Sequence, residues 1–318
     1  MTGTTLALLG LAFSLDLLVG EPPNAAHPVA WFGRLVDALD RRWLETDRGQ
    51  RLVGVAIAAF APLVPAVAAG GAVVLVGGVS TLAAAVVAGL VLFLSISLRS
   101  LLELTKTVIE ATEDDLETAR EQIRGLVGRE TATLSPGELR SAAIESAAEN
   151  LADGLVATLV PFALVAPISL PAAAAVAAWV KGVNTLDSML GYPDKPIGTA
   201  SARLDDLVMW LPARLTAGTI AIAAGDPAAL GRARRWARDP PSPNSGWPMA
   251  TLACVLERRL TKPGVYDLNP DAALPTLADG ERAITLVGFA AVVAVIVAVV
   301  VAAVTTAVGI ALEPGVVP

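Results

Sequence analysis

The 318-residue chain has one cysteine, one histidine and four lysines, and only 4% of its residues are aromatic. The single Cys254 excludes an intrachain disulfide and a thiolate metal cluster. Beyond the short segment 231–238 there is no lysine- and arginine-rich run, and the net charge of −7 argues against a nucleic-acid partner. No Walker A loop is present, and no Gly-x-Gly-x-x-Gly follows a strand, so a bound nucleotide would lie outside the familiar phosphate loops. The N-terminal apolar run lacks the basic segment of a secretory signal peptide and carries Asp16, so a retained membrane helix is expected there.

What the chain has in quantity is hydrocarbon. Hydrophobic residues make up 54% of it and mean hydropathy is +0.63, arranged in blocks of about 18 or more. These features predict an all-α, polytopic integral membrane protein with re-entrant or broken helices and cytoplasmic amphipathic helices, forming one membrane-embedded domain over residues 1–318. The acidic, lysine-poor balance outside the blocks suits a high-salt solvent, as in a halophilic source.

Residues 4–20 read as a first apolar helix, whose Asp16 is expected to face protein or the aqueous boundary. An amphipathic helix is predicted over about 29–44, with Trp31 and Trp43 as interfacial anchors. Arg34, Arg41, Arg42, Arg48 and Arg51 place that segment in the cytoplasm by the positive-inside rule. Membrane helices are expected at 52–78 and 81–102, separated by Gly77 and Gly78, which returns the chain to the cytoplasm. The polar stretch 103–154 holds a helix ending near Gly125. Ser135, Pro136 and Glu138 then have the spacing of a capping box. Pro161, Pro167 and Pro171 break the apolar stretch 155–180, which is read as a re-entrant hairpin of two half-length helices. Beyond it come an amphipathic and then apolar segment, a basic helix over 231–238, a Pro-rich loop over 239–248 and a helix holding Cys254. A polar connector to about 282 leads to a final spanning helix at 283–312.

The stretch Arg140–Gly154 carries the strongest chemical signal. Glu145, Glu149 and Asp153 recur every four residues and line one helical face. Like charges at that spacing repel, so a metal ion, other cations or a substrate is needed to compensate, unless the face is simply solvated. Asn150 lies beside Glu149, and Gly154 is placed to end the helix in the left-handed conformation. Lys181, Asn184 and Ser188, with Asp187, share a face of a later helix. Arg203, Asp205, Asp206 and Arg214 follow, with Arg214 inside an apolar stretch. Ionisable groups at membrane depth are functional candidates. Structural salt bridges, such as Arg203 with Asp206, are the plainer reading. The set combines carboxylates suited to a hard cation with lysine and arginine suited to phosphate. Arg129 and Arg140 add cations near the carboxylate face. His27 sits beside Pro28, where capping or packing stands level with proton transfer. Ser242 and Asn244 lie in a proline-rigidified turn suited to gripping a polar group.

Five ordered segments carry a resemblance: LLVGEPPNAAHPVAWFGRL, GLVGRETATLSPGELRSAAIESAAENLADG, KGVNTLDSMLGY, ASARLDDLVMWLPARL and SPNSGWPMA. In this order and spacing they resemble the adenosylcobinamide-phosphate synthase family of cobalamin biosynthesis, the CobD/CbiB proteins, over roughly residues 8–260. The resemblance implies a multi-pass enzyme of the cell membrane with its active site facing the cytoplasm. It would join adenosylcobyric acid to aminopropanol or aminopropanol phosphate through an amide bond, with ATP and Mg²⁺, in the company of membrane lipid and other corrinoid-pathway enzymes. On that reading Glu145, Glu149 and Asp153 hold Mg²⁺, with Asp187 or Asp206 completing the shell. Lys181, Arg203, Arg129 and Arg140 bind phosphate, and Asn150, Asn184 and Asn244 pair with corrin amides. A carboxylate or His27 takes the amine proton.

The chain departs from the family pattern in three places. Glu130 replaces the expected aspartate of a Gly-Arg-Asp-Thr turn, Pro241 stands where a histidine is expected, and Tyr266-Asp-Leu-Asn replaces a Tyr-x-x-Gly-like segment. Without the resemblance, a Mg²⁺-dependent prenyl-phosphate transferase or a secondary transporter would also fit the buried acids, although neither a DDxxD motif nor an inverted repeat is present. A membrane scaffold is a further alternative, and it does not need the carboxylate face.

Overall fold

The computed structural model describes residues 2–127 and 131–312. It is an almost wholly helical protein with four helical stretches long and apolar enough to cross a bilayer: Asp47–Gly77, Thr81–Asp114, Pro136–Val165 and Leu277–Ala311. The protein is therefore an all-α polytopic membrane protein. Its chain divides into two compact units, each assembled from separate stretches of sequence.

The first unit comprises residues 1–97, 157–208 and 295–318. Helix α1 (Thr2–Leu18) ends at Gly20, whose φ of +77° is open to glycine at little cost and whose N–H reaches the Leu15 and Asp16 carbonyls. Asp16 is fully buried, as the expectation that it faces protein requires. Helix α2 (Pro28–Leu39) is shorter than predicted and leaves Trp43 outside it; Trp31 and Trp43 are both exposed. Helices α3 (Asp47–Phe60) and α4 (Leu63–Gly77) form one stretch jointed at Pro62, which cannot donate to the helical ladder. Ser80 caps α5 (Thr81–Phe93) by accepting the Ala83 N–H.

The expected pair of half-length helices is not what forms. Helix α9 (Ala157–Val165) tolerates Pro161 in its interior. After a tight turn, Ser169 caps α10 (Leu170–Leu190), which packs back on α9 and, at 21 residues, is full length. Pro171 lies in the first turn of α10, where its missing N–H is not needed. Helix α11 (Thr199–Val208) completes the unit's order before the last helix.

The second unit comprises residues 98–156 and 209–294. It holds α6 (Leu98–Asp114), α7 (Leu116–Gln122) and α8 (Pro136–Leu151), then α12 (Trp210–Ala223), α13 (Ala229–Ala233) and α14 (Gly246–Leu256). The predicted basic helix shrinks to the five residues of α13, followed by turns. Both halves of the capping box at α8 are made: Ser135 Oγ accepts the Glu138 N–H, and the Glu138 carboxylate accepts the Ser135 N–H. Gly154 does not end the helix. Residues Ala152–Val156 form a π turn, which widens the coil and lets α8 run on into α9. The polar connector conceals a two-stranded antiparallel hairpin, β1 (Leu260–Lys262) with β2 (Tyr266–Leu268), turning at Gly264 with φ +75°. Helix α15 (Leu277–Leu312) starts six residues earlier than expected because Thr276 and Asp279 bond reciprocally at its N-terminus.

Packing inverts what is usual in water. Along α15, Val292, Ile296, Val300, Val304 and Val308 are exposed while Ala294, Ala298 and Ala302 are buried. Small residues let helix backbones approach, and the branched side chains are left for lipid. In the first unit, Phe32, Val36, Ile57, Leu186, Leu190 and Ile197 form a core cluster. Within it α3 lies so close to the Pro196–Gly198 turn that a Cβ on Gly54 would fall 2.0 Å from the Ile197 carbonyl oxygen. Gly54→Ala should therefore cost about 1–3 kcal/mol through overpacking. Gly71→Ala, where a Cβ meets nothing within 4 Å, should be neutral or slightly stabilising. Melting of the two variants in detergent checks this, and equal melting temperatures would refute the close-approach argument.

Candidate functional site

The predicted carboxylate face begins on α8, whose buried sides are mostly Ala, Ile and Leu. Glu145 is 2% exposed, and an unsatisfied carboxylate there would cost several kcal/mol. Both of its oxygens are satisfied by neutral hydroxyls. Ser141 donates to Oε1 at 2.7 Å, and Tyr266 donates to Oε2 at 2.7 Å. Ser141 also accepts the Thr261 N–H at 2.7 Å, so one residue pins the hairpin to α8 and orients the carboxylate. Ser146 donates to the Leu126 carbonyl, and Asn150 donates back to Ser146, one turn earlier on its own helix.

A cavity of about 140 Å³ opens beside this arrangement, lined by Leu126, Val127, Glu145, Ser146, Glu149, Lys262 and Tyr266. Two carboxylates, one ammonium and one phenol around so small a space suit a small, charged, hydrogen-bonding group. Lys262 escaped the sequence reading, and Tyr266 entered it only as the start of a departure from the family pattern, because the 260–268 segment looked like a polar connector. The available signal was the Pro263-Gly264 pair between two short β-compatible triplets, Leu-Thr-Lys and Tyr-Asp-Leu.

The other predicted residues are distributed as follows. Asp153 is half-buried within the π turn, which breaks the regular four-residue ladder from Glu149. Arg129 lies outside the described residues. Arg140 is committed to structure: it donates to Thr112 Oγ1 at 2.7 Å, pairs with Glu113 and reaches the Pro275 carbonyl. Arg214 donates to Asn244 Oδ1 at 2.6 Å and to the Trp210 and Pro243 carbonyls, and its guanidinium stacks on Trp210 and Trp247. Asn244 is thus turned inward, and its own N–H is held by Ser242 Oγ.

In the first unit, Lys181, Asn184, Asp187 and Ser188 lie on α10, and exposed Arg203 and half-buried Asp206 on α11. Ser188 donates to the Thr185 carbonyl, and Lys181 lines an apolar cavity. His27 caps α2, its Nδ1 accepting the Val29 N–H at 3.1 Å, so the capping role is real. Burial pushes the imidazole pKa down and Lys181 adds to the effect, against an opposing pull from Glu21, which favours the neutral ring.

Among the described residues, no three or more His, Cys, Asp or Glu side chains are grouped to hold a metal ion by themselves. The Asp187 carboxyl lies outside the four candidate spans and has its pKa raised to about 6, first by burial and then by the neighbouring Asp206 charge. Its Oδ1 is buried without a hydrogen-bond partner among the described residues. A carboxylate pair of this kind fits a cation, and Mg²⁺ needs only one or two protein carboxylates when substrate phosphates complete its shell.

Residues 9–296 match the profile of the CobD/Cbib protein family. The chain belongs to the CobD/CbiB family. It is 35% identical over 301 residues to the probable cobalamin biosynthesis protein CobD of Methanothrix thermoacetophila, covering 91% of this chain and 94% of that one. It is 38% identical over 283 residues to the cobalamin biosynthesis protein CobD of Geobacter metallireducens, covering 86% of each. The Klebsiella pneumoniae protein of that name is 33% identical over 294 residues, covering 89% of this chain and 90% of that one. No solved structure matches. This CobD/CbiB protein acts in cobalamin biosynthesis, and the transferase and transporter readings are not favoured.

Two outcomes follow from the geometry. Tyr266→Phe removes one donor from a buried carboxylate and should lower stability by about 1–3 kcal/mol, read as an earlier thermal transition. An unchanged transition would mean that Glu145 does not depend on the hairpin. Because the folded-state pKa of Asp187 is raised, its protonated form is favoured by the fold. Its contribution is fully present below about pH 4 and lost as pH rises through about 6. Asp187→Asn, which mimics the protonated carboxyl, should therefore raise the melting temperature at pH 8 and leave it unchanged near pH 4 in metal-free buffer. A gain of equal size at both pH values would refute the shift.

Proposed function

We propose that this CobD/CbiB protein is an ATP-dependent acid–amine ligase that joins adenosylcobyric acid to aminopropanol phosphate, or to aminopropanol, giving adenosylcobinamide phosphate or adenosylcobinamide. The observation that carries the reading is the small polar cavity lined by Glu145, Glu149, Lys262 and Tyr266. A nucleotide or a corrin ring is too large for 140 Å³, whereas the charged end of a short amino alcohol is of suitable size and polarity. In this reading the carboxylates receive the ammonium and Lys262 faces the phosphate.

The chemistry is two displacements. The corrinoid carboxylate attacks the ATP γ-phosphorus, forming an acyl phosphate and releasing ADP. The amine then attacks the acyl carbon, a C–N bond forms, and phosphate leaves. The ammonium must lose a proton for that attack, and Glu149, half-buried at the cavity, is the residue placed to take it. Glu145 has both oxygens hydrogen-bonded and so serves as a fixed negative charge that holds the amine. Magnesium would neutralise phosphate charge during phosphoryl transfer, and within the first unit taken by itself Asp187 and Asp206 are a carboxylate pair that fits a cation. The arginines from Arg34 to Arg51 support a cytoplasmic position for the α2–α3 connection, on the side where ATP is found.

Purified protein in lipid, given adenosylcobyric acid, aminopropanol phosphate, Mg²⁺ and ATP, should form amide and ADP in equal amounts. Glu149→Ala should lower the rate by about 100-fold or more, in the range of general-base contributions. ADP release without a corrinoid product, or full activity in Glu149→Ala, would overturn the assignment.

A further inference from the structure

A second cavity belongs to the first unit and takes no part in the chemistry above. It has a volume of about 530 Å³, within the range of ligand pockets, and lies among α2, α4, the end of α5 and α10. Its walls are almost entirely hydrocarbon, including Val29, Phe32, Val64, Pro65 and Val91. Ala68, Ala69 and Ala72 on α4 and Ala178 on α10 line it and contribute little side-chain volume.

The few polar groups on the lining already have partners. Ser95 donates to the Val91 carbonyl at 2.7 Å, and Thr185 to the Lys181 carbonyl at 2.8 Å. The Trp31 indole N–H donates to the Ala25 carbonyl at 2.9 Å. Lys181 is the one charged side chain on the lining. Such a surface does not suit a nucleotide or an amide-bordered corrin ring, whose polar edges would lose water and gain almost no hydrogen bonds. Nor does it suit ordered water, which needs two to four polar partners.

The cavity opens to the apolar protein surface. Val64 and Trp31 line it and are about half exposed, and α4 and α5 belong to the bilayer-length stretches. We propose that this cavity is a lipid-binding site, which takes a hydrocarbon chain of an anionic membrane phospholipid and keeps the headgroup phosphate at Lys181. The chain would complete the packing that the small side chains leave open among α2, α4, α5 and α10, and the phosphate would meet the one charged side chain on the lining.

The full-length protein in phosphatidylcholine nanodiscs, doped with phosphatidylglycerol carrying a photoreactive diazirine in its acyl chain, tests this. Crosslinks should concentrate on peptides spanning residues 64–72 and 178–185, above labelling of the Val300–Val304 face of α15. Ala69→Trp fills the cavity and should abolish the enrichment while leaving α15 labelling unchanged. Lys181→Gln should keep cavity labelling but lose the preference for phosphatidylglycerol over an equally tagged phosphatidylcholine. Labelling that is uniform over the apolar surface, or unaffected by Ala69→Trp, would overturn the site. A preference that survives Lys181→Gln would overturn the headgroup assignment.

Discussion

Glu145 is a carboxylate in an alanine-rich interior, and the second unit is arranged to make that tolerable. Burying the charge without partners would cost as much as a large share of a typical domain's stability. The solution uses two neutral hydroxyls, one from the preceding turn of α8 and one from a hairpin more than a hundred residues away in sequence. Ser141 joins the two by holding the hairpin's backbone with the same oxygen that serves the carboxylate. A buried polar network of this kind favours one arrangement of its parts, because a shifted hairpin leaves both the acid and the strand unsatisfied. The polar cavity is a consequence of that network.

A second constraint is the bilayer. Apolar surface facing lipid gains nothing from being hidden, so close helix contact has to come from small residues. Gly54 against Ile197, Gly182 against Pro62 and Pro65, and the buried alanines of α15 meet that need. The same economy of side-chain volume accompanies the apolar cavity among α2, α4, α5 and α10, which is lined by Ala68, Ala69, Ala72 and Ala178. This CobD/CbiB protein thus holds a small charged cavity in its second unit and a larger apolar one in its first.

Buried or half-buried charge is held in two ways in this protein. Arg140 and Arg214 resemble ligand-binding cations in sequence but serve as internal ties, with their donors committed to Glu113, Thr112, Asn244 and nearby carbonyls. Asp187 differs, since its Oδ1 is buried without a hydrogen-bond partner among the described residues and lies near a second acid. That buried oxygen distinguishes Asp187 from the arginines, whose donors are committed.

The sequence determined the helical class, the apolar stretches and the family, because bilayer-length runs and ordered motifs are local properties. It also fixed the start of α8, where Ser135 and Glu138 satisfy each other within one turn. The shape of the 155–180 hairpin was only half legible. Proline position mattered more than proline number, and Pro171 in a first turn starts a full helix instead of breaking one. Gly154 could not be read alone, since whether a glycine ends a helix depends on what packs beyond it. The roles of Tyr266 and Lys262 belonged to the tertiary structure, even though the hairpin that carries them left a local turn signal. Nothing near them in sequence says that a carboxylate 121 positions earlier lacks a donor, and only the folded chain brings the phenol to within 2.7 Å of it.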